Sequence, residues 1–229
     1  MPRDFAAIAR QVKDQRREQS DRLQSLKAAA LSGVKAAREA HEAAKTGEAA
    51  LQSMADLKYI PGFYPTPPAV IARMFEAAEI GPTHTILEPS AGRGDIAEAI
   101  RRQYPANALV CVEINSRLRE ILQRKGFHLV GDDFMAFDRG DFGRILMNPP
   151  FEKEQDAQHI LRAFELLKPG GRLVAICGAG VLFRSSGPAS QLRELVDANG
   201  YSERLPEGAF RMSDRPVGVN TVLVVLDKD

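Results

Sequence analysis

No apolar run in this chain approaches the roughly 18 residues that a membrane-spanning helix needs, and the opening MPRDFAAIARQVKDQRR lacks the apolar stretch of a secretory signal. Neither a membrane protein nor a secreted one is expected. Cysteine is scarce: Cys111 and Cys177 are the only two, and each lies inside an apolar run. They are expected as buried free thiols in a reducing, cytoplasmic setting. The four histidines (His41, His84, His128, His159) do not cluster with the cysteines, so no metal site is expected. Excess charge is also lacking: 31 Lys and Arg stand against 30 Asp and Glu. Proteins that coat nucleic acid nonspecifically are far more basic, although a neutral total still permits a local basic patch. Internal repeats and low-complexity linkers are absent.

What is present, in 229 residues, is enough for one domain and an appendage. Residues 1–57 are rich in Ala, Gln, Arg and Lys, with apolar residues at helical spacing: Phe5, Ile8 and Val12, then Leu23, Leu26, Ala30, Val34 and Ala37. The pattern predicts a long helical arm, bent near Gly33 or Gly47, whose stripe is too narrow to form a core alone. Such an arm packs on the main domain, on a partner, or on a second copy as a coiled coil, which makes a homodimer a natural expectation. The proline-rich YIPGFYPTPP (59–68) ends it and opens a second unit over 58–229.

In that unit, apolar β-branched runs at 84–88, 108–114, 144–148, 172–177 and 221–227 predict strands, with a shorter one near His128. Between them, helical spacing predicts helices over 67–79, 95–103, 117–125, 154–167 and 189–198. Alternation of this kind implies a mainly parallel sheet covered on both faces, with ligands at the carboxyl ends of its strands.

Three stretches at those strand ends carry chemistry. ILEPSAGRGD (86–95) is a strand, a glycine-rich turn and a helix start, with Asp95 as a candidate cap. Its glycines let backbone approach a nucleotide-like ligand, though a tight turn without a ligand has the same spacing. It is neither the GxGxxG fingerprint nor a phosphate-binding P-loop. Glu113 ends the next strand about 20 residues later, where a carboxylate can accept both ribose hydroxyls. After the third strand come Asp132, Asp133 and Phe134, where a carboxylate can receive an adenine amino group while one aspartate caps the turn. MNPPF (147–151) then projects Asn148 from the sheet edge and places the Phe151 ring at a cleft.

Taken in order, FYPTPP, LEPSAGRGD, VEI, GDDF and NPPF resemble the S-adenosyl-L-methionine-dependent amino-methyltransferases, especially adenine-N6 methyltransferases of the γ arrangement, of the compact kind found in phages and plasmids. The resemblance spans residues 59–229. It implies an α/β, Rossmann-like class I methyltransferase fold with a seven-stranded, mostly parallel sheet. It implies that Tyr64, Pro65 and Thr66 close over the methionine end of the cofactor and that Glu88, Pro89, Ser90, Gly92, Gly94 and Asp95 form the methionine loop. Glu113 corresponds to the ribose acid, with Ile114 beside the adenine, and Asp132, Asp133 and Phe134 correspond to the adenine corner. Asn148, Pro149, Pro150 and Phe151 correspond to the catalytic tetrapeptide, Asn148 also touching the cofactor. Two loops, GAGVLFRSSG (178–187) and PEGAFRMSDRPVG (206–218), are expected to rim the substrate cleft. Phe210 is the candidate second aromatic there, and Arg184, Arg211 and Arg215 are candidate phosphate contacts, with solvated arginines as the alternative.

The implied substrate is a nucleic acid, DNA ahead of RNA. Sequence-specific relatives carry a recognition domain after the catalytic core; here the expectation is that recognition is loose, or is provided by the cleft loops and the arm, or by a partner. Methylation of a protein glutamine amide follows the same hydrogen-bond logic and is the competing enzymatic reading. A degenerate fold retained as a binding module is the non-enzymatic one.

Overall fold

The computed structural model describes residue 60, residues 62–210 and residues 220–229. The predicted arm, Arg211 and Arg215 lie outside the described residues. No helix among the described residues is long and apolar enough to cross a membrane.

The strands are β1 (Ile86–Pro89), β2 (Leu109–Val112), β3 (Leu129–Gly131), β4 (Phe142–Met147), β5 (Leu167–Gly178), β6 (Gly200–Arg204) and β7 (Thr221–Asp227). They form one seven-stranded sheet in the order β3-β2-β1-β4-β5-β7-β6. β1 to β5 run parallel, and β7 lies antiparallel between β5 and β6. The helices are α1 (Pro68–Ala78), α2 (Asp95–Gln103), α3 (Ser116–Arg124), α4 (Gln155–Glu165) and α5 (Gly187–Asn199).

Side-chain alternation along the central strands divides the core. Leu87, Ile145, Met147, Leu173, Ala175, Val222 and Val224 point to one face and pack with Ile160 and Ala163 of α4 and Leu192 of α5. Their neighbours Ile86, Leu146, Val174, Ile176, Leu223 and Val225 point to the other, against Ile71 and Met74 of α1 and Ile96 and Ile100 of α2. Both faces of the middle strands are therefore apolar, which is why they read as continuous hydrophobic runs. Cys111 and Cys177 are buried free thiols within these layers.

α1 is joined to the sheet by a buried cation. From β4, Arg144 donates to the Ala78 carbonyl at 2.6 Å and the Glu79 carbonyl at 3.1 Å, filling acceptors left open at the end of α1. The order of strands reverses beside β1, whose neighbours are β2 and β4. In open sheets of this type the crevice at that reversal, beyond the carboxyl ends of the strands, is where ligands bind.

Candidate active site

A cavity of about 670 Å³ occupies that crevice, within the range of small-molecule sites. It is lined by Tyr64 and Thr66 from the segment before α1, by Glu88, Ser90, Gly92 and Asp95 after β1, by Glu113 and Ile114 after β2, by Asp132, Asp133 and Phe134 after β3, and by Asn148 and Pro150 after β4. Five stretches distant in sequence thus meet at one end of the sheet. Pro65, Pro89, Gly94, Pro149 and Phe151 are not among its lining residues.

The loop after β1 is bent hard. Ser90, Gly92 and Gly94 take positive φ values of 66°, 59° and 93°, a conformation that costs a serine energy and glycine almost none. A Cβ on Gly92 would lie 2.8 Å from the Phe63 ring, and one on Gly94 2.9 Å from Leu122. Both glycines are therefore needed for close packing as well as for the turn. Gly94 is the residue preceding α2, with Asp95 already inside the helix. Asp95 accordingly does not cap α2; its carboxylate instead accepts from Arg93 at 3.0 Å.

Among the carboxyls that line the cavity, Glu113 and Glu88 differ in how fully they are hydrogen-bonded. Glu113 accepts from the Gly92 amide at 2.7 Å and from the Asn115 amide at 2.8 Å, so it ties the glycine loop to the start of α3. Burial raises its pKa, while those amides oppose the rise. Glu88 is 2% exposed, and its Oε2 has no hydrogen-bond partner among the described residues. Desolvation holds its carboxyl well above the usual range, and the nearby Asp95 charge adds to this. An orphaned buried carboxyl oxygen of this kind fits a cationic or N–H-bearing ligand group.

Asp133 turns its carboxylate to the Met135 amide at 2.9 Å and caps a short turn, and Asp132 accepts from the Asp133 amide at 2.9 Å. Ile114 is 69% exposed at the cavity rim.

Asn148 is held in one orientation. Its Nδ2 donates to the Tyr64 carbonyl at 3.0 Å and to the Thr66 hydroxyl at 3.0 Å. A carbonyl can only accept, so the amide nitrogen must be the end that faces Tyr64. Its Oδ1 is left buried and without a partner among the described residues, at the cavity wall. Phe151 stacks on Tyr64 with ring centroids 5.9 Å apart and planes 13° apart. Immediately after it, Lys153 and Glu154 take positive φ values of 51° and 62°, a strained turn that launches α4.

Phe210 lies elsewhere than expected. It is 1% exposed and meets Phe151 edge-on at 6.3 Å, supporting that ring from behind instead of lining the cavity. Arg184 lines a separate cavity, 3.8 Å from Glu154. Sequence reasoning missed His159 and Gln155, which line the main cavity from α4. Their i, i+4 spacing on the helix after NPPF was the available signal. His159 Nδ1 lies 3.3 Å from Ser90 Oγ, its ring meets Phe134 edge-on, and burial lowers its pKa.

No protein-family model matches the chain. It is 30% identical over 97 residues to the modification methylase CviBIII of Paramecium bursaria Chlorella virus NC1A, covering 39% of this chain and 26% of that protein. It is 24% identical over 149 residues to the "Probable ribosomal RNA small subunit methyltransferase A" of Methanosarcina acetivorans, covering 61% of this chain and 54% of that one. The chain thus spans from about a quarter to about half of the curated relatives it matches. Among solved structures, a Listeria monocytogenes protein assigned to the class I S-adenosylmethionine-dependent methyltransferases superposes with a TM-score of 0.58 at 14% identity, covering 82% of this chain and 68% of that one. The fold is that of the class I methyltransferases.

Proposed function

We propose that this chain is an S-adenosylmethionine-dependent methyltransferase that acts on the exocyclic N6 amine of adenine in DNA. The observation that carries the reading is Asn148, whose amide nitrogen is occupied by Tyr64 and Thr66 and whose oxygen is left free at the cavity. An adenine amine is conjugated with its ring, so its lone pair is a poor nucleophile. An acceptor at Asn148 Oδ1, joined by the Pro149 carbonyl, takes the two N6 hydrogens, favours a pyramidal nitrogen and stabilises the positive charge that develops on attack. The acceptor is oriented before the substrate arrives, which is the form of stabilisation that lowers a barrier. The amine needs no prior deprotonation, because its proton becomes acidic once the new bond has formed. Tyr64, which lines the cavity and is itself stacked on Phe151, offers an aromatic surface to the base, which must leave a duplex to reach the cavity.

When bound, S-adenosylmethionine supplies an electrophilic methyl group on a sulfonium. The chain's residues fit it. Glu88 offers its unpartnered oxygen to the amino group, Glu113 has lone pairs left for ribose hydroxyls, and Ile114 with Phe134 flanks the adenine. Tyr64 and Thr66 close the site from the segment before α1. The order in which EPSAGRGD precedes NPPF is consistent with the γ arrangement and supports that part of the reading. Adenine in RNA is the second reading, favoured by the ribosomal RNA methyltransferase relative.

The test is to incubate the purified chain with methyl-labelled S-adenosylmethionine and DNA, RNA or protein, and to identify the labelled product. N6-methyladenine from DNA is expected. Asn148→Ala should lower kcat by about 10²- to 10³-fold with cofactor affinity retained. Label in protein glutamine would overturn the reading, and equal loss of binding and turnover would make Asn148 structural.

A further inference from the structure

A second cavity of about 460 Å³ is lined by Phe151, Asp156, Gly178, Phe183, Arg184, Arg204 and Asn220 among others. From it we infer a binding surface for an unpaired nucleotide next to the target base. The inference rests on the nucleic-acid reading above.

Phe183 is the first observation. Its ring is 71% exposed, yet the loop that carries it is pinned. The Phe183 and Arg184 amides both donate to the Gly180 carbonyl, at 3.1 and 3.0 Å. Arg193 reaches from α5 to the carbonyls of Val181 at 2.8 Å and Arg184 at 2.6 Å. An aromatic ring held out to water on a fixed loop is a platform, and every nucleobase has a face that stacks on one.

Charge is the second. The Arg204 guanidinium, from β6, lies 5.6 Å from the Phe183 ring centroid, and no carboxylate pairs with it among the described residues. Arg184 is partly engaged, since it lies 3.8 Å from the Glu154 carboxylate. Arg204 is therefore the cation open to a phosphate. The floor carries Asp156, whose two oxygens accept from the Ala157 and Gly178 amides, both at 2.9 Å. A carboxylate would repel a simple anion, whereas it suits the amino edge of a base stacked on the Phe183 ring. The combination of ring, cation and acceptor matches a nucleotide better than a free phosphate.

The position supplies the third. Phe151 forms part of this cavity's wall, so a strand whose target base enters beside Asn148 would pass its neighbour across Phe183.

The chain has no tryptophan, so Phe183→Trp gives it a single tryptophan, at the platform, that can be excited selectively over its tyrosines. Unpaired DNA and RNA oligonucleotides on the order of 12 nucleotides should quench its emission saturably. Arg204→Gln in the same background should weaken that quenching. Tyr201→Trp, on an exposed part of β6 outside the cavity, should remain unquenched over the same range. Phe183→Ala should raise KM for nucleic acid by about 5- to 100-fold and leave cofactor affinity unchanged.

Absence of quenching, or equal quenching at Tyr201→Trp, would overturn the surface. If the wild-type chain still formed N6-methyladenine, that failure would leave the methylation reading standing. Quenching confined to Phe183→Trp, without methyl transfer by the wild type, would uphold the surface and sink the methylation reading.

Discussion

Asn148 and Glu88 share one property: each buries an oxygen with no hydrogen-bond partner among the described residues. Such atoms are rare in folded proteins and cost energy, so two at one cavity mark where a ligand completes the structure. For Glu88 the consequence can be measured against pH. Its carboxyl is held well above its ordinary value near 4.5 by burial, so the folded chain binds that proton more tightly than the unfolded chain does. The stabilisation is complete below the ordinary value and is lost as pH rises through the raised one. Glu88→Gln removes this titration, and its melting temperature should fall less than that of the wild type between about pH 5 and 8. A cation held at Glu88 favours the ionised form, so the melting-temperature gain on adding S-adenosylmethionine should grow with pH in the wild type and stay flat in Glu88→Gln. Parallel wild-type and variant curves would remove Glu88 from the cofactor site. At this scale the sequence was informative wherever a residue belongs to a contiguous stretch: NPPF and EPSAGRGD each identify their own strand end. His159 and Phe210 were misjudged because their positions depend on where a helix and a returning loop pack, which no local pattern encodes.

Elements were legible in proportion to their burial. Strands with both faces covered, such as β4 and β7, announce themselves as apolar runs, and the helices have an apolar stripe at a 3.6-residue period. β6 does not. Its sequence GYSER has no apolar alternation because it lies at the sheet edge, where none of its residues is buried. Its first residue betrays the packing only in three dimensions: a Cβ on Gly200 would collide with the Val225 carbonyl oxygen. β5 likewise begins earlier than its apolar core suggests, since Leu167 already pairs with Phe142 across a register shift. Arg144 shows how an element boundary can depend on a residue far away. It is 8% exposed and serves the last carbonyls of α1 from within a buried strand. Arg144→Ala should cost about 2–4 kcal/mol, because it leaves those carbonyls buried and unpaired. Arg144→Lys should recover only part of this, since one ammonium cannot span acceptors that the guanidinium fork reaches together. Urea unfolding monitored by circular dichroism measures both, and a loss below about 1 kcal/mol for the alanine variant would show that α1 is held by its apolar face alone.

Across the whole molecule, the sheet places chemistry at one end and packing everywhere else. Parallel strands β1 to β4 deliver their carboxyl ends to the same crevice, so residues more than eighty positions apart, such as Tyr64 and Asn148, come into hydrogen-bond contact. That convergence was readable in outline, because alternating strands and helices imply it. The charge balance sets a further expectation. With a net charge of +1, the molecule has no large overall field to draw in a polyanion, so the nucleic-acid binding proposed above would rest on a few local cations. Arg204, with partial help from Arg184, is the cationic group at the strand path described above. Each phosphate neutralised on a single strand contributes a slope of about −0.7 to log affinity against log salt, so one or two contacts predict a total of about −0.7 to −1.4. Steady-state KM for an unpaired oligonucleotide, measured over a range of salt concentrations, gives this slope directly, and Arg204→Gln should reduce its magnitude by about 0.7. A slope several times steeper and insensitive to Arg204 would place the phosphate contacts on another surface, with residues 1–57 and 211–219 as the segments to test next.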